Sequence, residues 1–176
     1  MKWNWQQRDW AHFTYHNSDL KRLEMDFSYS SGLVFGVYKH LSQTDQEILN
    51  IELISDEAFK TSEIEGEMLN RDSLQSSIRR NFGLTTDNRK IPLAEKGIAD
   101  MTVDVYKNFS EKLTHTTLFK WHSMLTNGRR DLQDIGKYRT HDDPMQIVSG
   151  SIYKSKIHFK APPSKIVKKE MDGFIR

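Results

Sequence analysis

Residues 44–66, TDQEILNIELISDEAFKTSEIEG, decide the fold that we predict for this chain. Apolar and small residues recur there at intervals of three and four, which predicts an α-helix over 44–65. Thr44 is placed to cap the helix, with Glu47 three residues on to complete a capping box. Gly66 follows where a helix ends with a residue at positive φ. The predicted inward face is Ile48, Ile51, Ser55 and Ala58.

The same periodicity predicts five further helices on either side of this one. They cover 18–42 and 72–82, open at Pro92, start at Thr114 or Thr116, and open at Ser164. Ser18 and Asp72 are the predicted caps of the first two, and Gln75 follows Asp72 in the box position. The side chains predicted to close inward stripes include Phe82, Phe109, Leu125 and Phe174.

The pattern changes after Asp142-Asp143-Pro144, which breaks any helix. Met145 to Ser149 and Lys156 to Phe159 are short β-prone runs around a Ser149-Gly150-Ser151 turn. The fold class that we predict is therefore mainly α, with one β-hairpin. The first 16 residues carry Trp3, Trp5, Trp10, Phe13 and Tyr15, which we interpret as an extended arm that packs its rings on a helical body.

The composition narrows the function classes. Hydrophobic residues are 36% of the 176 and charged residues 28%, which is typical of a globular chain with a core. The absence of cysteine excludes disulfides and thiolate chemistry and favours a cytoplasmic location. No apolar run approaches the ~18 residues that cross a bilayer, so no membrane association is expected. A net charge of +2 gives no argument for a nucleic-acid partner.

Thr61 and Glu65 lie four residues apart and share one face of the predicted helix. Glu65 is at the helix end, where the macrodipole is negative, and Glu63 and Glu67 crowd the same point. Each acid there costs roughly 0.3–1 kcal/mol. This pattern indicates that a cation elsewhere receives one of the carboxylates.

The string Thr61-x-x-x-Glu65-Gly66 resembles the inhibitory motif of Fic-family proteins, [Ser/Thr]-x-x-x-Glu-[Gly/Asn]. Residues 61–78 and the Trp-rich start resemble the N-terminal domain ahead of many bacterial Fic domains. The second half resembles the opening part of a Fic domain through three features: Leu118-x-x-x-His122-x-x-Leu125, Gly136-x-Tyr138-Arg139, and a hairpin followed by Pro162-Pro163. The resemblance implies an N-terminal helical domain over 1–90 and an incomplete Fic domain over 91–176.

The resemblance also implies a function. Fic enzymes transfer AMP from ATP to a protein hydroxyl with Mg²⁺ on the phosphates, a reaction known as AMPylation. Glu65 would be the inhibitory carboxylate that pairs with an arginine of the catalytic motif, Thr61 would steady the helix, and Gly66 would permit the chain reversal. The hairpin would be the flap that docks a protein substrate by strand pairing. The flap residues are Met145, Gln146, Ile147, Val148, Ile157, His158 and Phe159.

The family's catalytic motif, H-P-F-x-x-G-N-G-R, is not in this sequence, since no histidine precedes Pro-Phe. The nearest string begins at His122, which we expect to be a packed helical histidine. No catalytic residue is therefore assigned, and the chain alone is expected to be inactive, with neither ATP nor Mg²⁺ tightly bound. The last helix reaches Arg176 without a stop signal, so we expect the parent protein to continue.

Other interpretations are a stand-alone, antitoxin-like regulator and a DNA-binding helical module. The second would use Arg79, Arg80, Arg89 and Lys90, although the first two are typical of a solvated helix face. Adjacent side chains at His141-Asp142-Asp143 rarely converge on one ion, so no metal site is predicted. A homodimer is left open.

Overall fold

The computed structural model of the protein describes residues 2–10, 12, 14–151 and 154–175. Six α-helices and one two-stranded antiparallel hairpin lie within these residues, which confirms the mainly α prediction with a single hairpin. The predicted arm residue Phe13 and the tip of the predicted flap, Ile152 and Tyr153, are outside the described residues, as is Arg176. The elements are α1 (Asn17–His40), α2 (Gln43–Ile64), α3 (Arg71–Asn81), α4 (Leu93–Asn108), α5 (His115–Leu125), β1 (Gln146–Ser149), β2 (Lys156–Lys160) and α6 (Ser164–Ile175).

Two compact units are formed by the chain. The first comprises Met1–Leu41 and Thr140–Glu170, and the second comprises Ser42–Arg139 and Met171–Arg176. The domain boundary at residue 90 stays a prediction.

The second unit holds the hydrophobic core, which α2, α3 and α4 share. The face predicted for α2 is buried at Ile51, Ser55 and Ala58, but Ile48 is exposed. Small side chains at the contacts allow the helices to approach closely. The buried apolar residues are Ile51, Ile54, Ala58, Leu74, Ile78, Ile98, Ala99 and Val103.

The helix starts differ by one or two residues from those predicted. Ser42, not Thr44, caps α2, because its Oγ accepts the Asp45 N–H at 3.2 Å. Asn70 caps α3 by accepting the Ser73 N–H at 2.9 Å, which places Asp72 inside the helix. Ser18 lies within α1 rather than at its cap. In each case, another residue holds the extended conformation that a cap requires.

The first unit contains α1, the hairpin and the N-terminal arm. The arm contacts the hairpin rather than the helical body that was predicted. The Trp3 ring meets Phe159 edge-on at 6.0 Å between centroids, and the Trp5 indole N–H donates to the Lys160 carbonyl at 2.7 Å. None of the residues of α1 is buried.

Candidate functional site

The end of α2 is a glycine-terminated chain reversal. The helix ends at Ile64, and Gly66 takes a φ of +82°, as predicted. The Gly66 N–H donates to the Glu63 carbonyl at 3.1 Å, and the Glu67 N–H donates to the Ser62 carbonyl at 2.9 Å. This pair of bonds is the Schellman arrangement, which satisfies the last carbonyls of the helix. The position of Glu65 just before the reversal is thus fixed by main-chain bonds.

The three acids at this helix end differ in their partners. Glu63 forms an ion pair with Lys60 at 2.8 Å. Glu67 acts on Arg129: the pKa of Arg129 is raised mainly by its hydrogen bond to Asp131, with a smaller contribution from the Glu67 charge. Within the described residues, the exposed Glu65 carboxylate has neither a hydrogen bond nor an ion pair. Among the described residues, Glu65 is therefore available to an external cation, and Glu67 is held only by a weak charge interaction with Arg129.

Thr61 lies one turn before Glu65 on the same exposed side of α2. Its carbonyl accepts the Glu65 N–H at 3.1 Å. The next residue, Ser62, is buried and donates its hydroxyl to the Ala58 carbonyl at 2.8 Å. The last turn of α2 is therefore anchored through Ser62, while Thr61 and Glu65 stay accessible to solvent.

Two large apolar residues are near Glu65 in the chain. Ile64 is 82% exposed and Met68 is 83% exposed. We call Thr61, Ile64, Glu65, Gly66 and Met68 the α2 tip. A partner that covers these side chains together with Glu65 removes water from the carboxylate, which strengthens any ion pair formed there. The α2 tip thus combines an unpaired charge with apolar surface that a partner can bury.

Glu95, which the sequence analysis did not single out, supports this region. It is 7% exposed, and its Oε1 accepts the Asn70 N–H at 3.1 Å. The bond ties the segment after the α2 tip to the first turn of α4. Acidic residues are common in the first turn of a helix because they stabilise its dipole. Nothing in the sequence therefore indicates that the Glu95 side chain bonds to another segment.

The hairpin has the predicted strands with one irregularity. Gln146 pairs with Lys160 and Ile147 with Phe159, and the register then shifts so that Val148 pairs with Ile157. The shift leaves His158 as the extra residue of a β-bulge. Its Nε2 lies 2.6 Å from the Ser149 hydroxyl. Met145 precedes β1, and its carbonyl accepts the Ala161 N–H at 2.9 Å.

The two outer edges of the hairpin are not equivalent. The Ala161 to Met145 bond makes Gln146 and Lys160 a pair whose main-chain groups point outward. On the β2 side, the Trp5 indole N–H donates a hydrogen bond to the outward Lys160 carbonyl. On the β1 side, no hydrogen bond among the described residues engages the outward groups of Gln146 or Val148. Ile147, Val148 and Ile157 are exposed apolar side chains beside these edges.

His115 joins three segments of the second unit, a cluster that the sequence analysis missed. Its Nδ1 lies 2.5 Å from the Tyr138 hydroxyl and its Nε2 lies 2.7 Å from Asp172 Oδ1. The Tyr138 ring also packs on Phe119 at 4.8 Å between centroids. His122, about two turns further along α5, lies in that helix as predicted and accepts the Gly136 N–H at 3.0 Å. Both histidines hold the 130–140 segment in place.

The described residues contain no group of three or more His, Asp or Glu side chains that would hold a metal ion. Within the same part of the chain, no helix is both long and apolar enough to cross a membrane. His141 bonds the main chain two residues on, at Asp143.

Comparison with known proteins gives one family. Residues 3–84 match the family model described as a domain of unknown function, DUF4172. The matched range is under half of the 176 residues, and it includes the α2 tip and excludes the hairpin. No curated protein matches the chain.

Proposed function

We propose that this chain is the autoinhibitory and target-docking part of a Fic-family AMP-transferase, with Glu65 as the inhibitory carboxylate. The observation that carries the proposal is the Glu65 side chain, which has no partner among the described residues and which a Schellman reversal holds at the end of α2. Glu63 forms an ion pair with Lys60 and the Glu67 charge acts weakly on Arg129, whereas Glu65 meets no cation among the described residues. Its spacing from Thr61 and Gly66 is the family's inhibitory pattern.

The proposed inhibition is a competition for one arginine. Glu65 pairs with the arginine of the catalytic motif, which otherwise holds the γ-phosphate of ATP. ATP then binds in a pose that prevents in-line attack by the target hydroxyl. The exposed Ile64 and Met68 side chains become covered in the pair, and the lower local dielectric strengthens it. The groups that hold ATP and Mg²⁺ belong to the H-P-F-x-x-G-N-G-R motif, which this sequence does not contain.

The test of this inhibition uses the complete native gene product and labelled ATP. Glu65→Gly is expected to raise AMP transfer at least tenfold, because the arginine is released to the γ-phosphate. Glu65→Gln and Glu63→Gln form a matched pair, since both remove one charge from the same helix end. Activation by Glu65→Gln but not by Glu63→Gln is expected. Equal activity in all variants would refute the role of Glu65.

The proposed docking site is the outer edge of β1. Trp5 occupies the outer edge of β2 at Lys160, whereas the outward groups of Gln146 and Val148 are unengaged among the described residues. A target segment that adds as a strand to β1 gains main-chain hydrogen bonds with little sequence demand. The exposed Ile147 and Val148 side chains, on opposite faces, supply apolar contact.

Proline substitution tests which edge is used, because proline removes one N–H and is tolerated at an open edge. Val148→Pro is expected to lower modification of the target at least tenfold. Ile157→Pro, at the paired position on β2, is the control and is expected to leave it within twofold. Hydrogen–deuterium exchange on the hairpin checks that both variants keep their strands. Equal loss in both variants would contradict docking on β1.

The same α2 tip would serve a stand-alone regulator that inserts Glu65 into a separate catalytic chain. The two cases differ in the native gene product: the regulator lacks AMP-transferase activity alone and inhibits when added in trans. The DNA-binding alternative is disfavoured because Arg80 and Arg89 are already engaged. Arg80 bonds Thr86 and two carbonyls of the 87–89 loop, and Arg89 pairs with Asp87 and Asp72.

A further inference from the structure

Glu95 is a buried carboxylate without a cation. Only 7% of the residue is exposed, and its one hydrogen bond among the described residues is the Asn70 N–H to Oε1 at 3.1 Å. No ion pair reaches it in the same part of the chain. Removing a carboxylate from water without a cation is unfavourable. The bond to Asn70 and the position in the first turn of α4, where the helix dipole favours an acid, offset this penalty.

The Glu95 side chain reaches away from its own helix. Glu95 is the third residue of α4, a position from which a Glu can accept the N–H of the residue that precedes the helix. That residue is Pro92, which has no N–H. The carboxylate accepts the Asn70 N–H instead, 25 residues back in the chain. The bond therefore joins α4 to the segment between α2 and α3.

Two anchors enclose the exposed segment 63–68, which carries the proposed inhibitory carboxylate. Before the segment, the buried Ser62 hydroxyl donates to a carbonyl one turn back at 2.8 Å. After the segment, Leu69 packs against the hydrophobic core and the Asn70 N–H donates to Glu95. All six residues between the anchors are exposed. Because the carboxylate lies on this short bridge, its position depends on both anchors.

Asn70 is fixed through three polar groups. Its side-chain Oδ1 accepts the Ser73 N–H at 2.9 Å, and its carbonyl accepts the Leu74 N–H at 3.0 Å. Both bonds tie it to α3, which it caps. Glu95 engages the remaining main-chain group, the N–H. Residue 70 is thus held relative to both α3 and α4, and it is the point to which the chain runs from the α2 tip.

The helix start that carries Glu95 is closely packed. A Cβ on Gly97 would collide with the Met124 carbonyl oxygen at the end of α5. A Cβ on Gly128, just after α5, would lie 3.0 Å from the Leu93 Cβ at the first residue of α4. Glu95 lies between these two contacts along α4. Its side chain is therefore presented by a rigid element, as a positioning group requires.

We propose that Glu95 is a positioning residue that clamps the α2 tip in its inhibitory conformation. The clamp itself follows from the geometry, whereas its regulatory consequence rests on the proposed function of Glu65. When the bond to Asn70 is lost, the segment 63–68 is held less firmly at its far end. Glu65 then samples positions from which it does not reach the catalytic arginine, and inhibition weakens although the carboxylate is still present.

Hydrogen–deuterium exchange at single amides of the complete native gene product tests the clamp. Glu95→Ala is expected to speed exchange of the Asn70 amide at least tenfold, because the acceptor is removed. Glu95→Asp, which is one methylene shorter, is the second variant and is expected to do the same. Glu95→Gln keeps an acceptor oxygen and is expected to stay within threefold of the wild type. The Ile78 amide within α3 is the reference and is expected to be unchanged. Equal acceleration at Asn70 and Ile78, or none at Asn70, would overturn the clamp.

AMP transfer by the same gene product tests the regulatory consequence. Glu95→Ala is expected to raise the rate about three- to tenfold, which is less than Glu65→Gly because the inhibitory carboxylate remains. Glu95→Gln is expected to keep the wild-type rate. Asp104→Ala is the matched control, since it removes another α4 acid that bonds a second helix, about 13 Å along α4 from Glu95. It is expected not to raise the rate, because loss of packing alone lowers activity.

The two assays separate failure of this inference from failure of the proposed function. Activation by Glu65→Gly without activation by Glu95→Ala would overturn the positioning role of Glu95. Activation by Asp104→Ala equal to that by Glu95→Ala would overturn it as well. An absence of activation in both Glu65→Gly and Glu95→Ala would refute the proposed function together with the regulatory consequence, whereas the exchange of the Asn70 amide would still decide the clamp.

Discussion

Helices α1 and α2 have almost the same length and opposite environments. The 24 residues of α1 include no buried side chain, whereas the 22 residues of α2 bury Ile51, Ile54, Ser55, Ala58 and Ser62. Apolar side chains are at least as frequent in α1 as in α2. The comparison teaches that an apolar stripe predicts a helix with a partner surface, while the identity of that partner is set by tertiary structure or by another molecule.

The largest effect expected from this comparison is in the core. Leu74 is fully buried in α3, between α2 and α4, so Leu74→Ala is expected to lower the free energy of unfolding by about 2–5 kcal/mol. Met25→Ala in α1 is the contrast, with an expected change below about 0.5 kcal/mol because the side chain is exposed. Urea unfolding measures both. Similar losses in the two variants would mean that α1 is packed as tightly as the core.

Glycine-to-alanine substitutions are expected to change the stability in opposite directions in α4 and in α1. A Cβ on Gly97 in α4 would collide with the Met124 carbonyl oxygen, so Gly97→Ala is expected to lower the free energy of unfolding by about 1–3 kcal/mol. A Cβ on Gly36 in α1 meets no atom within 4 Å. Gly36→Ala is therefore expected to stabilise α1 by about 0.5–1 kcal/mol through helix propensity. Thermal unfolding followed by circular dichroism checks both signs.

A smaller effect is expected where a carboxylate links α4 to α5. The pKa of Asp104 is lowered, first by the Lys120 hydrogen bond and then by those of Trp121 and Asn108. A lowered carboxyl pKa stabilises the fold above the ordinary value of 3.8, and this contribution is lost as the pH falls through the folded-state pKa. Asp104→Asn is expected to cost about 1–2 kcal/mol at pH 7.

The pH dependence of the free energy of unfolding distinguishes the loss of the Asp104 charge from a loss of packing. Below about pH 4, the stability of the wild-type chain is expected to fall more steeply than that of Asp104→Asn. Asp131→Asn is the control. The pKa of Asp131 is lowered to about 2, mainly by the Arg129 hydrogen bond, but this exposed pair joins residues only two apart and can also form in the unfolded chain, so its acid profile is expected to follow that of the wild type. Parallel acid profiles for wild type and Asp104→Asn would contradict the link.

Much of the fold could be predicted because it is encoded locally. The helix over 44–65, the positive φ of Gly66 and the paired strands each follow from a few adjacent residues. Inward faces were less predictable near helix ends. Several side chains that fit a helical period and were predicted to face inward are exposed. These are Ile48, Phe82, Phe109, Leu125 and Phe174.

The candidate site also has one part that the sequence predicts and another that it does not. The geometry of Gly66 is local, so the sequence predicts it, but the partners of Glu63 and Glu67 depend on side-chain placement. The support that Glu95 gives to Asn70 joins residues 25 apart. The His115 cluster joins α5 to Asp172, 57 residues away. Spacing in the chain carries no signal for contacts of this kind.

The most direct test of the central proposal is AMP transfer by the complete native gene product, compared between wild type and Glu65→Gly by intact-mass measurement after incubation with ATP and Mg²⁺. If Glu65 is the inhibitory carboxylate, the variant gains AMP adducts that the wild type lacks or acquires at least tenfold more slowly. If neither protein gains adducts, or both gain them at the same rate, Glu65 does not restrain an AMP-transferase.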